Sequence, residues 1–426
     1  MDQFELEQVL SQARELLPDA QAAYGRLRGL LDYPGQLDSA AAFRAAFDAF
    51  ALICDARPTP DLAQLARAAD PQDPNSLFAF AHRAYEYGLH AFAATCLARA
   101  HQLDPGGDFL AELVANLEEL RLNREAVRLL QQSPVDQDPW LAYLLGFHAL
   151  MSGDTELPHR LLPRLLAQND DNLALAVVQL QAMVERARRL ACSELRGWHL
   201  ALNASLLLFV SPDGFDRGMN GRYAFVQDYY AQCRQGLVLL GEALDALGLS
   251  VPRVFALQDR SSQILAEAAA AFFSAPLAAW PSELPGLAVA YDLDRVDNRD
   301  LEPLAHHRPG QLLFAHASCW TSPFPMAPDF TTFLYQYNSA PWDERMRFSP
   351  DGESEMQPAD PSPAEELGRR ILDSQDEWPS HGGVEPLLEL CAAARRLPQE
   401  CTIGCYRQDG LRTRQRAGSP ISSNSF

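Results

Sequence analysis

A helical solenoid followed by a mostly parallel α/β domain is the fold class that this sequence of 426 residues predicts. Three observations carry the expectation. Between residues 74 and 167 a pattern of apolar and small residues with helical spacing recurs at a step of 33 and then 32 residues. Past residue 195 that periodicity gives way to short apolar runs separated by helical segments and turn-rich loops, the grammar of an α/β sheet. From 346 onward the chain turns Pro, Ser and acid rich and ends in a polar stretch, which predicts an extension with short helices and a partly disordered, mobile tail.

The repeat is read first, because everything in the N-terminal half follows from it. Leu77, Phe80, Ala81, Ala84, Gly88, Ala93, Leu97, Ala100 and Pro105 set a template. It recurs as Leu110, Leu113, Val114, Leu117, Ala126 and Leu130, and again as Ala142, Leu145, Gly146, Ala149, Gly153, Pro158 and Leu162. Two antiparallel helices per unit, small residues at their crossing and a glycine between them resemble the tetratricopeptide repeat. The second unit lacks the turn glycine. Pro158 stands at a crossing position and is compatible with a helix only in its first turn. The organisation expected is N-terminal helices over 1–38, repeats over 39–195, the α/β domain over 196–345 and the extension over 346–426.

The resemblance implies peptide or protein binding on a concave surface lined by the first helix of each pair. Phe78, His82, Tyr85, Tyr143 and Phe147 are the residues it places there. The competing expectation is that these aromatics pack against the protein's own C-terminal half.

In the second half, the candidate strands are 205–211, 253–258, 286–292 and 311–317, with helical segments near 226–247, 261–274 and 299–307. A further covering helix is expected over 327–346. Runs apolar on both faces suit a parallel sheet covered by helices, a Rossmann-like arrangement, in which ligands bind outside the carboxyl ends of the strands. The residues following the four strands are therefore the candidates for an anion or ligand site. They are Asp213, Arg217 and Arg222, then Asp259, Arg260, Ser261 and Ser262, then Asp292 and Asp294, and last His316. The glycines at 214, 218 and 221 are spaced G-x-x-x-G-x-x-G, which is not the dinucleotide fingerprint. A looser phosphate cradle and an ordinary ordered loop both remain open for that segment. Asp292 and Asp294 resemble the acidic pair of phosphoribosyltransferases, where adjacent carboxylates hold ribose hydroxyls; here the carboxylates alternate, and VDNRD follows instead of a Thr and Gly-rich loop.

Composition narrows the chemistry. The formal charge of -21 opposes binding to nucleic acid and to anionic membranes. Lysine is absent, so a Walker A loop, a pyridoxal Schiff base and a kinase strand lysine cannot be built. Eight scattered cysteines make neither a disulfide framework nor a zinc ribbon, and no metal or cofactor is expected. The acidic amphipathic N-terminus is unlike a signal peptide, which predicts a cytoplasmic protein. The leading expectation is a scaffold protein that binds a protein or peptide in the repeat groove, with an α/β domain lacking a complete catalytic motif. The alternative is an enzyme, a transferase acting on a phosphorylated sugar or nucleotide at the carboxyl edge of the sheet.

Overall fold

The computed structural model describes the chain apart from residues 1–2, 58, 169, 191, 213–214, 216–217, 297, 349–353, 376–383, 416–418 and 424–426. It divides into two compact units, Met1–Gln168 and Asn169–Phe426.

The first unit is an array of stacked helices. They are α1 (Gln3–Glu15), α2 (Ala20–Leu31), α3 (Ala40–Asp55), α4 (Pro60–Ala68), α5 (Pro74–Glu86), α6 (His90–Leu103), α7 (Phe109–Glu119), α8 (Asn123–Gln131), α9 (Pro139–Met151) and α10 (Glu156–Leu166). Two of the pairs begin with the same device. Asp73 and Asp138 accept hydrogen bonds from the first free backbone N–H groups of α5 and α9, and Pro74 and Pro139 take the first helical position, where no N–H is needed. The last three pairs also turn alike. Gly88 and Gly153 adopt φ of 73° and 90°, and the next residue donates back to a carbonyl of the outgoing helix, Leu89 to Ala84 and Asp154 to Ala149. Between α7 and α8, where the sequence has no glycine, Arg121 takes φ 58° and Leu122 donates to Leu117 in the same way. The turn geometry is kept at a backbone cost. Pro158 lies in the first turn of α10, as its chemistry requires. The core holds Phe47, Phe80 and Phe92 fully buried, with Phe47–Phe80 and Phe80–Phe92 edge-on at 4.8 and 4.9 Å.

The second unit opens with α11 (Asp171–Arg189) and α12 (Leu195–Asn203) and then builds a sheet. Its elements are β1 (Leu206–Leu207), β2 (Tyr223–Gln227), α13 (Tyr230–Leu247), β3 (Val254–Ala256), α14 (Arg260–Phe272), β4 (Leu277–Ala279), β5 (Gly286–Asp292), α15 (Asn298–Leu304), β6 (Gln311–Cys319) and β7 (Phe330–Ser339). Every ladder in this sheet is parallel, and the order is β1-β7-β6-β5-β3-β4 with β2 also on β7. A separate antiparallel hairpin joins β8 (Arg345–Phe348) to β9 (Ser354–Gln357), and α16 (Ala364–Asp373) and α17 (Glu385–Ala394) pack on α14 and α13.

Two expectations are corrected here. The segment 327–346 is not a covering helix: Phe330–Ser339 is a strand with neighbours on both sides, and its run of aromatic and threonine side chains over 330–335 suits a pleated, buried surface. The segment after 205–211 does not lead through a strand-to-helix loop. β1 and β2 both pair with β7, at Leu206 with Phe330 and at Tyr223 with Tyr335, so they are two stretches of one edge strand; Leu208 and Phe209 still donate to the Thr331 and Thr332 carbonyls, and the chain makes its excursion after them and returns before Tyr223. Within the C-terminal extension, residues 412–415 are anchored to the second unit. Arg412 donates its N–H to Ala305, Arg414 to Pro325, and Gln415 to the Asn203 side chain, which threads this part of the chain across the unit.

Candidate functional site

The parallel topology brings residues remote in sequence to the carboxyl ends of β5, β6 and β7. Consecutive residues of β5 point to opposite faces, and this makes two clusters back to back.

On one face Tyr291 is fully buried, and its hydroxyl donates to Asp228 Oδ2 at 2.7 Å. His316 Nε2 meets the same oxygen at 3.2 Å and Cys233 Sγ donates to it at 3.3 Å. The other oxygen of Asp228 accepts from the Tyr229 N–H at 2.8 Å, and His316 Nδ1 lies 3.2 Å from Thr332 Oγ1. The side chains of Asp228, Cys233, Tyr291, His316 and Thr332 all belong to residues at most 2% exposed. Burial pushes the Cys233 thiol and the Tyr291 hydroxyl well above their ordinary pKa, so both stay protonated and act as donors. Asp228, Cys233 and His316 also offer three ligand atoms within 4.8 Å of one another, of the kinds zinc takes. Both oxygens of Asp228 already have donors, so the set is complete as a hydrogen-bonded network. Sequence reasoning missed Asp228, Tyr291 and Cys233, because nothing local marks them.

On the other face the Tyr335 hydroxyl donates to both oxygens of Asp292 at 2.7 Å, and Arg295 Nε lies 3.5 Å from Asp292 Oδ2. Burial raises the Asp292 carboxyl to about 6, against the lowering effect of the Tyr335 bond. Asp294 accepts from the Cys319 N–H at 2.9 Å, and burial raises its pKa as well. Arg414 donates to Ser318 Oγ and to the Cys319 carbonyl at 2.6 and 3.0 Å. Arg295 is half exposed, with a second bond to Asp343. This cluster therefore combines a carboxyl poised to change charge near pH 6 with a reachable guanidinium.

The remaining sequence candidates are placed as follows. Asp259 caps α14 by accepting from Ser262, whose hydroxyl accepts from Tyr291 N–H; Ser261 Oγ accepts from the Trp342 indole at 2.9 Å. Arg260 donates to the carbonyls of Asp360 and Ser362. Arg222 is buried, with its guanidinium 5.3 Å from the centre of the Trp320 ring. Asp213 and Arg217 lie outside the described residues. Gly221 (φ 93°) is where the excursion closes: it accepts from Ser211 N–H, and a Cβ there would fall 2.4 Å from Val210 Cγ1. The loop also walls a hollow of about 290 Å3, lined among others by Glu194, Phe215, Asn220 and Ile421.

In the helical unit, Phe78 stacks on His82, and Trp140, Tyr143 and Phe147 form a stacked row at 5.5 and 6.1 Å. Phe147 is buried, whereas Tyr85 and Trp140 are 37% and 45% exposed. The Tyr85 hydroxyl reaches Glu119 at 3.5 Å. Burial, and then the neighbouring Glu119, raise Glu118 to about 7. Burial pushes His148 down to about 4, so its 3.8 Å contact with Glu118 involves a neutral imidazole and is not an ion pair. A second feature that sequence did not disclose is a cavity of about 440 Å3 walled by Tyr24, Phe50, Ile53, Leu62, Tyr87 and Leu89, a size suited to an apolar side chain or small ligand.

Comparisons with protein-family models, with curated proteins and with solved structures return no match. Among the described residues, no helix is long and apolar enough to cross a membrane.

Proposed function

We propose that the protein is an interaction protein whose helix pairs, of the tetratricopeptide kind, hold a basic segment of a protein partner. The observation that carries this reading is that the exposed Tyr85 on α5 reaches Glu119 on α7, while the exposed Trp140 on α9 stacks on Tyr143, which feels Glu118 of α7. Aromatic anchors beside carboxylates match a chain segment carrying Arg or Lys next to apolar side chains. Tyr143 and the partly buried Glu118 extend the face, while Phe147 supports it from below. Affinity capture from cells followed by titration with the partner's basic segment tests it. Tyr85→Ala with Trp140→Ala is expected to weaken binding at least tenfold, and Glu119→Gln to flatten its salt dependence. Full binding by a folded Tyr85→Ala, Trp140→Ala variant would overturn the reading.

The Asp292 cluster favours a second activity, recognition of a phosphorylated sugar or nucleotide at the carboxyl edge of the sheet. Asp292 and Asp294 would take hydroxyls or a divalent cation, and Arg295 the anionic group. A thermal-shift panel of nucleotides, phosphoribosyl pyrophosphate and nucleotide sugars, with and without magnesium, tests it. A ligand at 100 times its dissociation constant stabilises by about 2.7 kcal/mol, and silence across the panel removes this second reading.

A further inference from the structure

At the amino edge of the sheet, opposite the clusters above, a cavity of about 20 Å3 is lined by Arg186, Arg407, Arg412, His307 and Asp329. That is room for about one atom-sized guest. Arg186 and Arg412 are 3% and 5% exposed and Asp329 is 2% exposed. Arg186 spends its Nε on the Ala201 carbonyl at 2.7 Å and leaves Nη1 buried without a partner. Arg412 Nη1 lies 2.6 Å from Asp329 Oδ1 without hydrogen-bond geometry, its Nη2 donates to the Gln311 carbonyl at 3.2 Å, and its Nε is left unpartnered. Asp329 further accepts from the Leu313 N–H at 2.8 Å, so its charge is already shared.

The charges around this cavity do not balance. Guanidinium groups stay protonated inside proteins, which puts three positive charges on the lining against one lining carboxylate, Asp329, with Asp409 acting on Arg407 from outside the lining. His307 adds none, because burial and then Arg412 press its pKa down to about 4. Buried charge without a counter-charge is unfavourable. A guest that is negative, small and without directional demands supplies what is missing.

We propose that this cavity is a structural site for one monatomic anion, chloride, held between the guanidinium groups of Arg186, Arg407 and Arg412. The full chain is unfolded thermally in sodium chloride, sodium bromide and sodium gluconate at equal ionic strength. Chloride and bromide are expected to raise Tm in a saturable way by about 2–6 °C over gluconate. Arg407→Gln, at the half-buried wall, is expected to weaken that response, and Arg186→Gln to abolish it. Should Arg186→Gln fail to fold, bromide anomalous scattering from crystals of the unaltered protein decides, with a peak expected within contact distance of Arg186 Nη1. Equal Tm values in chloride and gluconate, an Arg407→Gln variant with the full response, or a bromide-soaked crystal without that peak would each overturn the proposal.

Discussion

Replacing Gly88 by Ala isolates what a left-handed residue contributes to the turn inside a helix pair. Gly88 sits at φ 73°, and a methyl group there would meet nothing within 4 Å, so the whole effect is confined to the backbone. The left-handed conformation costs an L-residue about 1–2 kcal/mol, while Ala has less unfolded-chain entropy to lose than Gly, which offsets about 0.4–1 kcal/mol. The net expectation is a loss of about 1 kcal/mol, read as a fall of about 2–4 °C in the melting of a unit of this size. Arg121 provides the reciprocal experiment, since it already carries the cost at φ 58°. Arg121→Gly should move Tm the other way, by less, because the arginine side chain also has a partner to lose. Differential scanning calorimetry of the full chain, with far-UV circular dichroism to identify the helical transition, measures both. A Gly88→Ala variant as stable as the parent would refute the reasoning, since no packing change is available to compensate.

Other expectations follow from the buried groups. Asp228→Asn should cost about 3 kcal/mol or more, because three side-chain donors converge on one carboxylate oxygen; Asp259→Asn, a change of one good cap for another, should cost a few tenths. Equal urea midpoints for the two variants would count against the network. Burial lowers His148, His307 and His199 to about 4, 4 and 3, so the unfolded chain binds protons that the native state refuses. Stability should then be full above the ordinary histidine pKa of about 6.5 and fall as pH drops toward 4; a Tm unchanged between those limits would contradict it. Asp292, raised to about 6, acts in the opposite sense: its native state binds the proton more readily, so its own contribution declines as pH rises from about 4 to 6. Asp292→Asn should therefore steepen the acid loss across that window. Finally, a chelator should leave Tm unchanged if the Asp228 set works as a hydrogen-bonded network, whereas a shift restored by stoichiometric zinc would show that its three ligand atoms hold a metal.

The helix pairs were legible because their determinants are local. The Asp-Pro starts at 73 and 138, the turn glycines at 88 and 153 and the helical spacing all lie within a few residues of the geometry they impose. β5 and β6 were legible for a related reason: a strand covered on both faces needs an unbroken apolar run, and GLAVAYD and QLLFAHA have one. β7 was not, because FTTFLYQYNS mixes polar and apolar residues, and only its place between β6 and the split edge strand makes it a strand. The sites lie further from local reach. Tyr291 and Asp292 are neighbours in sequence, yet the pleat sends one to Asp228 and the other to Tyr335. Asp228 and His316 meet across 88 residues, and Arg186 shares a cavity with Arg412 only after the chain has built the whole sheet and returned. Backbone preference is a short-range property and survives in sequence, whereas which buried charge faces which is decided by strand order and register, which no local pattern encodes.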